Sequence, residues 1–90
     1  MQIFERRFKL DIVYEILVSA SRGVEVDRLY DSSSVAEREL RGNCDLLLRK
    51  DMLGIGKRVE RSGRRTYYYL TARGREFYDD LLRFQNILGV

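Results

Sequence analysis

The sequence predicts an α+β fold, mostly α, built from three helices, a two-stranded hairpin and a C-terminal helix. Apolar residues recur at helical spacing in four segments, and a strongly β-prone segment with a Ser-Gly pair lies before the last of them. Ninety residues suit one domain, so residues 1–90 are expected to form a single unit.

The first two helices are predicted on either side of a glycine. The first extends from about Phe8 to Ala20, and Gly23 is expected to follow it in a left-handed cap. Its apolar positions are Leu10, Ile12, Val13, Ile16, Leu17 and Ala20. The second is short, about Glu25 to Tyr30, and the polar segment 31–34 then predicts a turn, because short polar side chains bond local backbone groups.

The third helix is predicted over about Val35 to Lys50. Ser34 and Glu37 have the spacing of a capping box, so Ser34 is expected at the N-cap. One face is apolar and consists of Ala36, Leu40, Cys44, Leu47 and Leu48. The opposite face is polar, which indicates a helix buried on one side only.

A basic hairpin is predicted next, with strands at residues 55–60 and 65–70 and a tight turn at Ser62-Gly63. Alternation places Tyr68 and Leu70 on one face, and Tyr67 and Tyr69 on the other. Segment 57–65 holds five basic residues and one acidic residue. Cations so close together repel one another, and a bound polyanion would relieve that repulsion.

The fourth helix is predicted from Ala72 to Leu88, with Thr71 as its cap and Gly89 at its end. Its apolar arc covers more than half of its circumference, which one small domain rarely buries. We therefore expect residues 72–88 to form a dimerisation helix; the alternative is that this stripe belongs to the domain's own core. The expected homodimer contacts are Phe77, Leu81, Phe84 and Leu88.

A short helix, a turn, an amphipathic helix and a basic hairpin, in that order, are typical of a winged helix-turn-helix. The third helix would then enter the major groove of double-stranded DNA, and the hairpin, or wing, would contact phosphates or the minor groove. The candidate DNA-binding residues are Ser33, Ser34, Arg38, Arg41, Lys57, Arg58, Arg61, Arg64 and Arg65.

Other interpretations of these residues stay open. Arg38 and Arg41 could form surface salt bridges with neighbouring glutamates, and Ser34 could serve as a cap alone. Residues 67–69 could stack on nucleic acid bases, although ordinary packing on the sheet explains them as well. Cys44 could be a redox switch, but its place on the apolar face favours a core thiol. A protein-interaction module is the alternative function, and RNA is a third possible target.

Composition argues against several classes of function. The chain has no histidine and one cysteine, so an internal disulfide is impossible and a zinc site is not expected. No nucleophile-base pair or glycine-rich phosphate loop is visible, so we expect no enzyme, no cofactor and no small-molecule substrate. No signal peptide or membrane-spanning apolar run is visible, so a cytoplasmic, nucleoid-associated protein is expected by default.

Three segments carry a resemblance to a known family. Lys9-Leu10-Asp11-Ile12-Val13-Tyr14-Glu15-Ile16-Leu17 resembles the first helix of archaeal winged-helix chromatin proteins of the ten-a type, and Asp79-Asp80-Leu81-Leu82-Arg83-Phe84-Gln85-Asn86 resembles their last helix. Tyr69-Leu70-Thr71-Ala72-Arg73-Gly74 resembles the strand-to-helix junction of winged-helix regulators. The resemblance implies DNA binding, in transcription regulation or chromatin organisation, and dimerisation through an antiparallel coiled coil. Because the last helix ends near Leu88, any such coiled coil is short.

Overall fold

The computed structural model describes the backbone of residues 2–89 and the side chains of residues 10–89. The described chain forms helix α1 (Gln2–Ala20), strand β1 (Val24–Glu25), helices α2 (Val26–Ser32) and α3 (Glu37–Arg49), strands β2 (Leu53–Glu60) and β3 (Gly63–Leu70), and helix α4 (Ala72–Leu88). The α+β, mostly α fold is confirmed. Helix α4 has the predicted bounds, whereas α1 begins at Gln2, well before the predicted Phe8.

The sheet has three strands in the order β1-β3-β2, all antiparallel, so the two-strand prediction was incomplete. Strand β1 has only two residues, Val24 opposite Tyr68 and Glu25 opposite Tyr67. Two residues are too few to show a periodicity in a sequence. Their extended conformation is set by pairing with β3.

The hairpin turn lies one residue earlier than predicted. Glu60 pairs with Gly63, which leaves Arg61 and Ser62 as the two turn residues. Gly63 has φ of +121°, a conformation that other residues rarely adopt, and this explains the glycine at the start of β3.

The core lies between α1, α2, α3 and the inner side of the sheet. Its fully buried side chains are Ile16, Leu17, Leu29, Leu40 and Cys44. Each such apolar side chain stabilises the fold by about 1.5–3 kcal/mol. Leu10, predicted on the core face of α1, is instead half exposed.

Backbone capping ends α1 and α3. Gly23 has φ of 76° and donates its N–H to the carbonyl of Ala20, so the predicted left-handed cap is confirmed. Asp51 takes the same role after α3 with φ of 58°. Its N–H bonds to the Leu48 carbonyl, and that of Met52 to Leu47, which is a Schellman motif.

The junction before α4 fixes this helix against the end of α3. Thr71 Oγ1 accepts a hydrogen bond from the Gly74 N–H at 3.0 Å and donates one to the Asp51 carbonyl at 2.6 Å. The predicted Thr71 cap is therefore confirmed. A β-carbon at Gly74 would overlap the backbone carbonyl of Met52, so α4 can approach this turn only with glycine at that position.

Candidate nucleic-acid interface

Helix α3 is buried on one face and exposed on the other. Leu40, Cys44 and Leu47 face the core, and Asn43 beside them is 7 % exposed with its side-chain amide bonded to the Glu39 carbonyl at 2.8 Å. The exposed positions of α3 are all polar or glycine apart from Leu46: Glu37, Arg38, Glu39, Arg41, Gly42, Asp45, Leu46 and Arg49. This polar face is the surface that a helix-turn-helix presents to a major groove.

The two arginines of α3 that are predicted to bind DNA differ in their surroundings. Arg41 forms an ion pair with Glu37 at 3.4 Å, and its guanidinium lies 4.9 Å from the centre of the Tyr30 ring. The pKa of Arg41 is raised, first by Tyr30 and then by its hydrogen bond to Glu37. Arg38 is exposed and forms no ion pair with the side chains described here. Arg38 is therefore the more available of the two for a ligand.

The serines before α3 do not form the predicted capping box. Helix α3 begins at Glu37, and Ala36 occupies the N-cap without a side-chain hydrogen bond. Ser33 instead accepts from the Val35 N–H at 3.1 Å and donates to Glu15 Oε1 at 2.9 Å. The connection bends at Ser34 and Val35, and Ser34 is exposed with no capping role.

The β2–β3 hairpin, the wing, has two distinct faces. Cross-strand partners point to the same side of a sheet, and successive residues point to opposite sides. The inner face is the one that includes buried Leu53 and Tyr68, and further along it has the pairs Lys57–Thr66 and Val59–Arg64. The outer face has Gly54–Tyr69, Gly56–Tyr67, Arg58–Arg65 and Glu60–Gly63.

Ionic and aromatic contacts concentrate on the outer face. Arg65 pairs with Glu25 at 3.4 Å and with Glu60 at 4.0 Å, and it also donates to Ser62 Oγ at 3.3 Å. Tyr67 donates its hydroxyl to Glu60 Oε1 at 2.9 Å, and this bond raises the pKa of Tyr67. The Arg58 guanidinium also lies on this face, 4.7 Å from the centre of the Tyr67 ring.

The other basic residues of the wing are exposed: Lys57, Arg61 and Arg64. None of them forms an ion pair within the described part of the chain. The sequence predicts the five cations of the wing as one cluster and does not predict the ion pair between Glu25 and Arg65. Glu25 is visible in the sequence as an acidic residue just before α2, but its position opposite Tyr67 in the sheet is not.

A second exposed surface is apolar and lies at the C-terminal half of α4. The exposed fractions are 61 % for Phe84, 78 % for Ile87 and 70 % for Leu88, and Leu10 of α1 is 50 % exposed. Leu10, Phe84 and Leu88 line one shallow groove of about 200 Å³ between α1 and α4. The other two predicted dimer residues, Phe77 and Leu81, are half-buried against the core.

Cys44 is fully buried, which confirms a core thiol. Burial raises the pKa of Cys44, which favours the thiol over the nucleophilic thiolate. Tyr30 and Tyr68 lie beside it, and burial also raises the pKa of each.

Within the described residues, no group of His, Cys, Asp and Glu side chains could hold a metal ion. No described helix is long and apolar enough to cross a bilayer.

Helices α2 and α3, the turn between them and the β2–β3 hairpin define a winged helix-turn-helix. Solved transcription regulators share this fold. A PadR-like transcription factor from Bacteroides fragilis superposes with a TM-score of 0.82 at 20% identity, over 99% of this chain and 93% of that chain. A PadR family regulator from Clostridium difficile R20291 gives 0.73 at 16% identity, over 87% and 90% of the two chains.

A protein from Porphyromonas gingivalis W83 that is described as a transcriptional regulator of the MarR family gives a TM-score of 0.62 at 23% identity, over 99% of this chain and 81% of that chain. No protein-family model and no curated protein matches the sequence. Similarity at these identities establishes the fold, and the functional assignment depends on the surfaces described above.

Proposed function

We propose that this chain is a duplex DNA-binding protein that acts as a transcription regulator, by binding and not by catalysis. The observation that carries the proposal is a set of exposed cations on α3 and the wing that form no ion pair with any side chain the structure describes. They are Arg38 and Arg49 on α3, and Lys57, Arg58, Arg61 and Arg64 on the wing. The solved proteins of the same fold that are described as transcription factors or regulators support it.

In the proposed complex, α3 enters the major groove with the exposed face that includes Arg38 and Gly42. The wing lies over the adjacent phosphates or minor groove, and its basic residues release counterions on binding. Arg41 contributes less than Arg38, because Glu37 already neutralises part of its charge. Ser34, exposed just before the helix, can donate a hydrogen bond to a phosphate.

We further propose a homodimer through the C-terminal helix. Phe84, Ile87 and Leu88 expose apolar surface that the described chain does not cover, and a second copy of α4 would bury it. Of the four residues predicted for this contact, Phe84 and Leu88 would supply most of the interface, because Phe77 and Leu81 already pack on the core. Two copies would present two α3 helices to two half-sites.

The narrower resemblance to archaeal ten-a type chromatin proteins, and a cytoplasmic, nucleoid-associated location, are parts of this proposal. A chromatin-organising protein binds many sequences with similar affinity, whereas a regulator prefers one site. Selection of bound fragments from random duplex DNA distinguishes them. An enriched motif supports a regulator, and recovery of the input distribution supports an architectural role.

The test of DNA binding is fluorescence anisotropy with a labelled duplex over a series of salt concentrations. We expect the logarithm of the association constant to fall linearly with the logarithm of salt concentration. Replacing both Arg61 and Arg64 with alanine should make the slope shallower by about 1.8, or 0.9 for each phosphate contact. Replacing exposed Arg22, before the sheet, is the matched control and should leave the slope unchanged. Absence of salt-dependent binding in the unmodified protein would refute the proposal.

A protein-interaction module is the second candidate, because the exposed apolar end of α4 could dock another protein. Sedimentation equilibrium of the purified chain and the DNA titration separate the two candidates. A dimer that binds duplex DNA supports the first candidate. A monomer that binds neither duplex DNA nor RNA supports the second.

A further inference from the structure

The two faces of the wing differ in how their charges are balanced. On the outer face, Arg65 contacts Glu25 and Glu60, and Glu60 also accepts the hydroxyl of Tyr67. Arg58 lies against the ring of Tyr67. The two glutamates therefore neutralise Arg65, whereas Arg58 contacts the Tyr67 ring, and Arg58, Glu60 and Arg65 lie in the half of the hairpin nearer its turn.

The inner face carries cations without acidic partners. Lys57 and Arg64 are exposed there and form no ion pair with any side chain that the structure describes. Val59, directly across from Arg64, is 77 % exposed, and Ile55 on the same face is 49 % exposed. Cations next to small apolar side chains match the walls of a DNA groove, where phosphates alternate with apolar deoxyribose surface.

The outer network also has a mechanical consequence. A two-stranded hairpin that projects from a domain is only marginally stable by itself. Glu25 belongs to β1, next to α2, so its ion pair with Arg65 ties the wing to the helix-turn-helix. Glu25 is only 21 % exposed at its side chain, which makes this pair stronger than one in open solvent.

We propose that the wing contacts DNA through its inner face, with Lys57, Val59 and Arg64, and that Arg65 is a positioning residue that fixes the wing through Glu25. This inference depends on the proposed DNA binding. It assigns different roles to two adjacent arginines that the sequence alone places in one cluster.

The neighbouring arginines provide a matched pair for the test. Arg64→Ala should make the salt slope shallower by about 0.9, the effect of one lost phosphate contact. The ratio of the unmodified protein's affinity to that of the variant should therefore be about eightfold larger at 0.1 M salt than at 1 M salt. Arg65→Ala should lower affinity by a smaller factor, about two- to fivefold for a partly exposed ion pair, with an unchanged slope. Thermal unfolding of each variant confirms that it is folded.

Glu25→Gln distinguishes positioning from direct contact by the sign of its effect. Removal of a negative charge near a polyanion would by itself tighten binding. If Arg65 positions the wing, Glu25→Gln weakens binding by the same factor as Arg65→Ala, and the double variant is no weaker than either single variant. Arg65→Lys, which keeps a cation beside Glu25, should restore part of the affinity.

Two results would overturn the inference. One is a salt slope for Arg65→Ala as shallow as that for Arg64→Ala, and the other is tighter binding by Glu25→Gln. Both require that the unmodified protein binds duplex DNA. Failure of that binding would instead refute the proposed function, so the two failures are distinguishable.

Discussion

Helices α3 and α4 have similar sequence patterns and different roles. Each is amphipathic, and each has a glycine within its helical segment, Gly42 in α3 and Gly74 in α4. The exposed side of α3 is polar, with Arg38 and Arg49 on it, whereas the exposed end of α4 is apolar, with Phe84 and Leu88. A salt-dependent polyanion therefore fits the first surface, and an apolar partner fits the second.

The two glycines show the same contrast in detail. At Gly74 an added β-carbon would overlap the Met52 carbonyl, so the glycine serves packing inside the molecule. At Gly42 an added β-carbon meets no atom of the described residues within 4 Å, so packing within that part of the chain does not require a glycine. A glycine in the middle of an exposed helix costs about 1 kcal/mol relative to alanine. A methyl group at Gly42 would lie on the face of α3 that is proposed to enter the major groove.

The largest expected effect is on assembly. Phe84→Asp places a charge in the exposed apolar surface of α4 and should raise the dimer dissociation constant by about 30-fold or more, the loss of a hot-spot contact of 2 kcal/mol. Sedimentation equilibrium measures it. Asn86→Asp adds the same charge at another exposed position of the same helix and should leave dimerisation nearly unchanged. Equal effects of both substitutions would contradict the proposed interface.

Gly74→Ala should have the next largest effect, this time on folding. The new methyl group has to displace the Met52 carbonyl, which accepts the N–H of Thr71, so the free energy of unfolding should fall by about 1–3 kcal/mol or more. Urea denaturation followed by circular dichroism measures this change. An unchanged midpoint would show that the close approach of α4 to this turn is not required.

Gly42→Ala should stabilise the fold and weaken binding to duplex DNA. The free energy of unfolding should rise by about 0.5–1 kcal/mol, because alanine is the better helix former and the site has open space. Affinity for duplex DNA should fall in the same protein, since the methyl group lies on the proposed contact face. A stabilised variant with undiminished DNA affinity would show that no partner approaches α3 at this position.

The smallest effect concerns pH and the buried face of α3. Burial raises the pKa of Cys44, Tyr30 and Tyr68 above the ordinary values of 9.0 for the thiol and 10.0 for the phenols. The unfolded chain then loses these protons at lower pH than the folded chain does. Stability from these groups is fully present below about pH 8 and falls as the pH rises through 9 and 10. Denaturation at a series of pH values measures it, and Tyr30→Phe should lessen the fall. A flat profile would show that these groups titrate alike in both states.

Much of the fold was predictable because its elements are long and periodic. The bounds of α4 followed from its cap, its glycine stop and its apolar spacing. In β3, alternation alone separated Tyr68 and Leu70 from Tyr67 and Tyr69, although it left open which of the two faces is buried. Short or locally ambiguous features were missed. Ser34 and Glu37 have the spacing of a capping box, but α3 begins at Glu37 and not at Val35. The neighbouring Ser33 bonds instead to Glu15 of α1, a residue 18 positions away in the chain.

The sequence predicted which basic residues belong to the candidate site, but not how they are arranged in space. The clustering of Lys57, Arg58, Arg61, Arg64 and Arg65 is visible in the sequence. The division of that cluster is not, because it depends on which face each residue takes and on Glu25, forty positions from Arg65 in the chain. Similarly, the exposure of Leu10 beside Phe84 depends on how α1 and α4 pack together.

The sequence by itself determined the order of the four helices and the hairpin, the inward face of α3, and the high density of arginine in one hairpin, since spacing and composition are local properties. Only the tertiary structure decided which arginines are neutralised, where α3 begins and which apolar residues remain exposed. Each of these depends on contacts between segments distant in the chain, such as Glu25 with Arg65 and Glu15 with Ser33.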